Sequence, residues 1–193
     1  EKIKHFVSKE ALNIDGFGKK IVEKFWELDF VKLPQDIFNL DFKKIELLEG
    51  WGKQSVNNLK FSINQKRNIS FDRFIFSLGI RHIGLENAKL ISKYLKSADN
   101  FISLSKNKNF EDLLNIDGIG ETQIQSIKNF FLNKTNVRVI NELNKFLKIM
   151  KAMKVKKDGS LSDKTFMLTG KLNGISRAEA KSIIEENSGS IIS

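Results

Sequence analysis

The sequence contains no cysteine, one proline and two histidines in 193 residues. The lack of cysteine excludes disulfides and thiolate metal sites. His5 and His82 are far apart in the chain, so no metal centre is expected. A single proline, Pro34, leaves nearly every backbone N–H available for helix. No apolar run approaches the ~20 residues of a membrane span, and no signal-peptide pattern opens the chain. The chain starts at Glu1 rather than Met, and a longer parent is expected. Acid is scarce too: 23 acidic against 33 basic residues leave a formal charge of +10. Of the basic residues 28 are lysine and only 5 arginine. Such a balance favours a polyanionic partner, with nucleic acid the natural candidate.

What the chain has instead is sixteen phenylalanines, a 40% apolar content and a repeated glycine turn. The turn occurs as Ile14-Asp15-Gly16-Phe17-Gly18, Leu48-Glu49-Gly50-Trp51-Gly52 and Ile116-Asp117-Gly118-Ile119-Gly120. A degenerate copy is Arg81-His82-Ile83-Gly84, in which His82 stands where the others have glycine. The closing glycines, at 18, 52, 84 and 120, are separated by 34, 32 and 36 residues. A repeat of that period is an architectural unit used four times. Each copy lies between helix-like stretches, which makes the unit a helix-hairpin-helix. Little strict alternation occurs before residue 160, and the chain is expected to be mainly α.

The expected helices follow the apolar stripes. They run about Lys4–Leu12; Lys19–Leu28 (Ile21, Val22, Phe25, Leu28); Asp41–Leu48; and Lys53–Lys66 (Val56, Leu59, Ile63). Phe71, Phe74, Ile75 and Leu78 precede the third turn, and Ala88, Ile91 and Leu95 follow it. Short helices are expected after Pro34 and within Ser97–Asn109. Glu111–Asn115 leads into the fourth turn and Glu121–Leu132 leaves it, before a long helix over Val137–Met150. One unit is too small to bury its own apolar face, so two pairs are expected, over about 1–67 and 70–150, joined at Asn68–Ser70. Together these are expected to form one helix-hairpin-helix domain over 1–150, with DNA binding expected of it.

Residues 151–162 read as a lysine-rich linker. Beyond them Thr165–Gly170 predicts a short buried strand, and Ser176–Glu186 a helix with a Ser176/Glu179 capping box. Ser190–Ser193 begins another strand. Residues 163–193 therefore look like the opening of an α/β module that the chain does not complete.

A glycine turn that runs into a helix start is an anion site made of backbone. Glycine allows close approach, and the helix aims its free N–H groups outward. The candidate phosphate-binding residues are Gly16, Gly18, Lys19, Lys20, Gly50, Gly52, Lys53, Gln54, Arg81, His82, Gly84, Gly118, Gly120 and Gln123. The fourth turn is weaker in charge, since Glu121 follows it and only Gln123 offers a neutral donor. Such nests hold phosphate oxygens and ignore bases. Paired units are expected to grip both strands across the minor groove. Phe17 and Trp51 are assigned to the core rather than to base stacking.

Two motifs are decoys. Lys156-Lys157-Asp158-Gly159 matches the Lys-x-Asp-Gly of nucleotidyl transferases, but a nucleophilic lysine needs a desolvated pocket, not a solvated linker. Gly79-x4-Gly84 is followed by Leu85-Glu86 instead of the Lys-Ser/Thr of a phosphate-binding loop. No catalytic, cofactor or metal residue is assigned. A stand-alone DNA-junction scaffold and a protein-interaction module using the turns only as turns are the rival readings.

The residues resemble the C-terminal part of bacterial NAD-dependent DNA ligases over essentially the whole chain. His5-Phe6-Val7-Ser8 before the first turn is similar to the family's passage from its zinc module into a four-hairpin domain. Phe74-x-Phe76-Ser77-Leu78-Gly79-Ile80-Arg81-His82-Ile83-Gly84 resembles its most recognisable internal stretch. Lys164–Gly170 and Ser176–Lys181 resemble the first strand and helix of its BRCT module, with Ser188-Gly189 in place of the usual Gly-Gly. The resemblance implies four tandem helix-hairpin-helix motifs in two pairs, then an incomplete BRCT module whose end is expected to be frayed. It implies nicked duplex DNA as partner, in replication and repair, held by a monomer in the bacterial cytoplasm at the nucleoid. The adenylylated lysine, with NAD, magnesium and zinc, belongs to upstream parts of the full-length enzyme, so this chain alone is expected to be inactive.

Overall fold

The computed structural model describes residues 1–152, 159–170, 172, 174–175 and 177–192, the side chains of 178, 179 and 182 excepted. It divides into two compact units, Glu1–Lys151 and Ala152–Ser193.

In the first unit helix α1 covers Lys2–Phe6, shorter than the apolar pattern predicts. The reason is tertiary. Arg73 is buried and donates through Nη2 to the carbonyls of Lys9 and Ala11, which draws 7–12 into turns rather than helix. Helix α2 (Lys19–Glu27) buries Val22 and Phe25. It ends where Asp29 turns left-handed, at φ 58°. A 3₁₀ turn follows at Pro34–Asn39, opened by the Asp36 carboxylate accepting from the Lys32 and Leu33 amides. Asp41 caps α3 (Phe42–Glu46), accepting from the amides of Lys43 and Lys44. Helix α4 (Lys53–Gln65) buries Val56, Leu59 and Ile63, as its spacing predicts.

Strand β1 (Asn68–Ser70) leads into α5 (Phe71–Ser77). Gly79, at φ 61°, then ends that helix. Its role is a helix stop packed beneath the His5 ring, not a nucleotide loop. Helices α6 (Leu85–Leu95) and α7 (Ala98–Asn107) follow; Ser97 caps the latter. A 3₁₀ turn at Glu111–Asn115 precedes α8 (Glu121–Leu132), which has the predicted bounds. Asn133 then caps α9 (Lys134–Phe146), accepting from the amides of Thr135 and Asn136.

The long final helix is corrected by the structure. It stops at Phe146, and Lys148–Met150 is a strand, β2, that pairs parallel with β1 in the register Ile69↔Ile149. The predicted joint at Asn68–Ser70 is thus clasped by the far end of the same unit. Arg67 strengthens the clasp. Its guanidinium donates to the Phe146 carbonyl at 3.2 Å and lies over the Phe38 ring, which stacks on Phe146 at 5.7 Å.

Core packing links the turns in sequence order. Phe25 lies 5.6 Å from the Phe17 ring and 5.6 Å from that of Trp51, joining the first turn to the second. A Cβ at Gly16 would come within 4.0 Å of Leu59 of α4, and one at Gly118 within 3.1 Å of Leu90 of α6. The helix after the first turn thus touches the second turn through Phe25 and Trp51.

In the second unit the parallel strands β3 (Thr165–Phe166) and β4 (Ser190–Ile191) flank α10 (Arg177–Glu186). The strand predicted over Thr165–Gly170 is shorter than expected, and it is not buried: Thr165 is exposed and Phe166 half-buried. The tail of the predicted linker is engaged here. The Gly159 amide donates to Ser188 Oγ, and that of Leu161 to the Asn187 carbonyl. The Ser176/Glu179 capping box and Lys156–Asp158 lie outside the described residues.

Candidate nucleic-acid interface

All four turns share one backbone geometry. The amide of the apolar middle residue donates to the carbonyl three residues back: Phe17 to Ile14, Trp51 to Leu48, Ile83 to Ile80 and Ile119 to Ile116, at 3.0–3.2 Å. The residue before it is left-handed: Gly16 (φ 77°), Gly50 (79°), His82 (62°) and Gly118 (87°). That conformation is easy for glycine and uncommon for histidine. His82 nevertheless adopts it, and its carbonyl accepts from the Asn87 side chain at 2.9 Å.

Burial divides each turn in two. Ile14, Phe17, Ile80, Ile83, Ile116 and Ile119 are buried, while Leu48 and Trp51 are half-buried. Every glycine in the turns is exposed, as are Arg81 and His82. The apolar residues are anchors, and Phe17 belongs to the core as assigned, whereas Trp51 packs on Phe25 but stays half-buried. The backbone between them faces outward.

At three of the four closing glycines no packing contact requires the absence of a side chain. Gly18, Gly52 and Gly84 are N-caps with extended φ of −71°, −127° and −82°. A Cβ at any of them would meet nothing within 4 Å. None is helped by a side-chain cap. At Gly118, by contrast, a Cβ would sit 3.1 Å from Leu90 Cδ1 as well as in a left-handed backbone. The first glycine of a turn serves the fold; the second leaves open space.

Electrostatics rank the turns. Helices α2 and α4 carry no acid in their first turn but begin with Lys19 and Lys20, and with Lys53. Cations at a helix N-terminus oppose the macrodipole, so this placement suits an external anion better than the isolated helix. All three lysines are exposed, and their ammonium groups bond to no protein group among the described residues. Helices α6 and α8 hold Glu86 and Glu121 in their first turns. Gln123 is redirected: its Oε1 accepts from the Gly120 amide at 3.2 Å, so the fourth turn caps itself. Gln54 turns its side-chain amide along α4 to Asn58 at 3.0 Å. Near the fourth turn Lys128 bonds Glu111 at 2.6 Å, holding that carboxyl below the usual carboxylate range.

One contact was not legible locally. Lys24 Nζ donates to the Glu49 carbonyl at 3.2 Å, tying α2 to the second turn. Among the described residues no cluster of His, Asp or Glu could hold a metal.

Comparison with known proteins gives this geometry a context. The helix-hairpin-helix motif family matches residues 73–140, which contain the third and fourth turns. The whole chain is 69% identical to a DNA ligase of Pelagibacter ubique, of which it spans 29%. Over its full length the chain is homologous to a segment of bacterial DNA ligases. The segment is also 43% identical, over 94% of its length, to the DNA ligase of Wolbachia pipientis, and 42% identical, over 96%, to that of Rickettsia canadensis. It spans 28% and 29% of those relatives. This ligase-homologous segment therefore represents less than a third of the proteins it matches. Among its described residues no helix is long and apolar enough to cross a membrane.

Proposed function

We propose that the chain is the DNA-clamping region of an NAD-dependent bacterial DNA ligase. It holds nicked duplex by the phosphate backbone, without regard to sequence, while chemistry occurs elsewhere in the full-length enzyme. In this reading the four turns are tandem helix-hairpin-helix motifs in two pairs, over about 1–67 and 70–150, and 163–193 is part of a BRCT module. The ligase acts in replication and repair, as a monomer at the bacterial nucleoid. NAD, magnesium and zinc serve its other domains, and this chain alone seals nothing. Gly16, Gly18, Gly50, Gly52, Gly84, Gly118 and Gly120, with Lys19, Lys20, Lys53, Arg81 and His82, form the backbone-facing surface; Gln54 and Gln123 contribute through their main-chain amides.

The observation that carries the reading is the trio of exposed closing glycines Gly18, Gly52 and Gly84, at helix starts where a side chain would meet only open space. An incoming phosphate oxygen would receive two or three main-chain N–H groups there. The homologous DNA ligases supply the class of partner. Fluorescence anisotropy with a labelled nicked duplex tests it, using heparin as a polyanion of unrelated shape. Preference for the duplex at equal ionic strength is expected, with no dependence on base sequence. Equal weak binding to both would refute the proposal.

A further inference from the structure

We infer that the cleft between α1, the start of α2 and the third turn is a further phosphate seat, with Lys2 as its principal cation. This rests on the DNA-clamping reading and adds a contact outside the turns. The cleft has a volume of about 670 Å³. Lys2, Lys4 and His5 of α1 line one side, Lys19 at the start of α2 another, and Ile80 and Ile83 of the third turn face them. One opening is thus bordered by two elements that the repeat places 66 residues apart, at Gly18 and Gly84.

The charges in the cleft are not equivalent. Lys4 is committed: it bonds Glu23 at 2.7 Å and Glu1 at 3.2 Å, and these bonds hold its ammonium above the usual lysine range. The same Lys4 holds the carboxyl of Glu1, the one acid lining the cleft, below its usual range. Shared between Glu1 and Glu23, it leaves that group one negative charge, against the two positive charges of Lys2 and Lys19. Lys19 bonds to no protein group among the described residues. Lys2 is exposed and, among the described residues, makes only a long 3.4 Å bond to Asn136 Oδ1. Two ammonium groups are therefore available to an anion. His5 forms a fixed wall: its Nε2 lies 2.7 Å from the Phe76 carbonyl and its ring packs 4.6 Å from that of Phe76. A duplex strand held by the first and third turns passes this opening. A phosphodiester there would be met by Lys2 and Lys19 together, carrying the grip from one hairpin pair to the other.

The test uses the 193-residue chain, a nicked duplex and a salt titration read by anisotropy. Lys2→Gln is expected to weaken binding roughly three- to tenfold and to make the log–log salt slope shallower by about 1. Lys2→Arg keeps the charge and is expected to retain the parental affinity. Lys106→Gln removes a charge that lines neither cleft nor turn and is expected to leave the slope unchanged. Thermal midpoints of all three variants should match the parent. If Lys2→Gln matches the parent, or if Lys106→Gln weakens binding as much, the cleft is not a phosphate seat, although the clamping reading stands. If the parent itself shows no preference for duplex, it is that reading which fails.

Discussion

A Gly18→Val/Gly52→Val double variant is expected to bind nicked duplex about a hundredfold more weakly than the parent, while folding normally. Both residues are N-caps in extended backbone with open space where a Cβ would go. Valine therefore fits the fold, and its methyl groups occupy the volume a phosphate would enter. Losing one charge-assisted amide–phosphate contact costs about 1.5–3 kcal/mol, and two such losses reach a hundredfold or more. Glycine is a better N-cap than valine, and the exchange costs about 1 kcal/mol per site, so the thermal midpoint should fall by no more than roughly 8 °C. Anisotropy and a thermal melt on the same preparation separate the two quantities. Unchanged affinity would mean that the open space at these caps receives no ligand. The same substitution at Gly84 is expected to weaken binding less, because Glu86 already occupies the first turn of that helix.

The second large effect is salt. If the turns neutralise roughly four to eight phosphates, the log–log slope is about −4 to −7. Raising salt from 50 to 200 mM then lowers affinity by on the order of 10² to 10⁴-fold. The double variant should show a slope shallower by about 2, one counterion for each turn blocked. Sequence-scrambled duplexes should fall on the same line as the parent duplex, since backbone contacts carry no base information. A slope near zero would point instead to a protein-interaction module, in which the turns are only turns.

The helices and turns were largely legible in the sequence because their causes are local. Helix α8 has its predicted bounds since Gly120 opens it and Asn133 ends it within one stretch of chain. The stripes of α2 and α4 bury the residues their spacing selects. What was not legible depends on distant partners. Leu147 and Ile149 continue a plausible helical pattern, but pairing with Asn68–Ser70 draws Lys148–Met150 into a strand. Helix α1 ends early because Arg73, more than sixty residues on, takes the carbonyls of Lys9 and Ala11. Gln123 looked like a phosphate donor, yet its carbonyl serves its own turn. The cleft beside Lys2 has no local signature, as it exists only once α1, the start of α2 and the third turn come together.

Amide chemical shifts of the isotope-labelled chain, followed as nicked duplex is added, test the central claim most directly. The account predicts that the largest changes fall on the main-chain N–H groups of Gly18, Lys19 and Lys20 and of Gly52, Lys53 and Gln54, with smaller ones around Gly84 and Gly120. Changes confined to lysine-rich surface such as Lys106–Lys108, with the glycine amides silent, would contradict it.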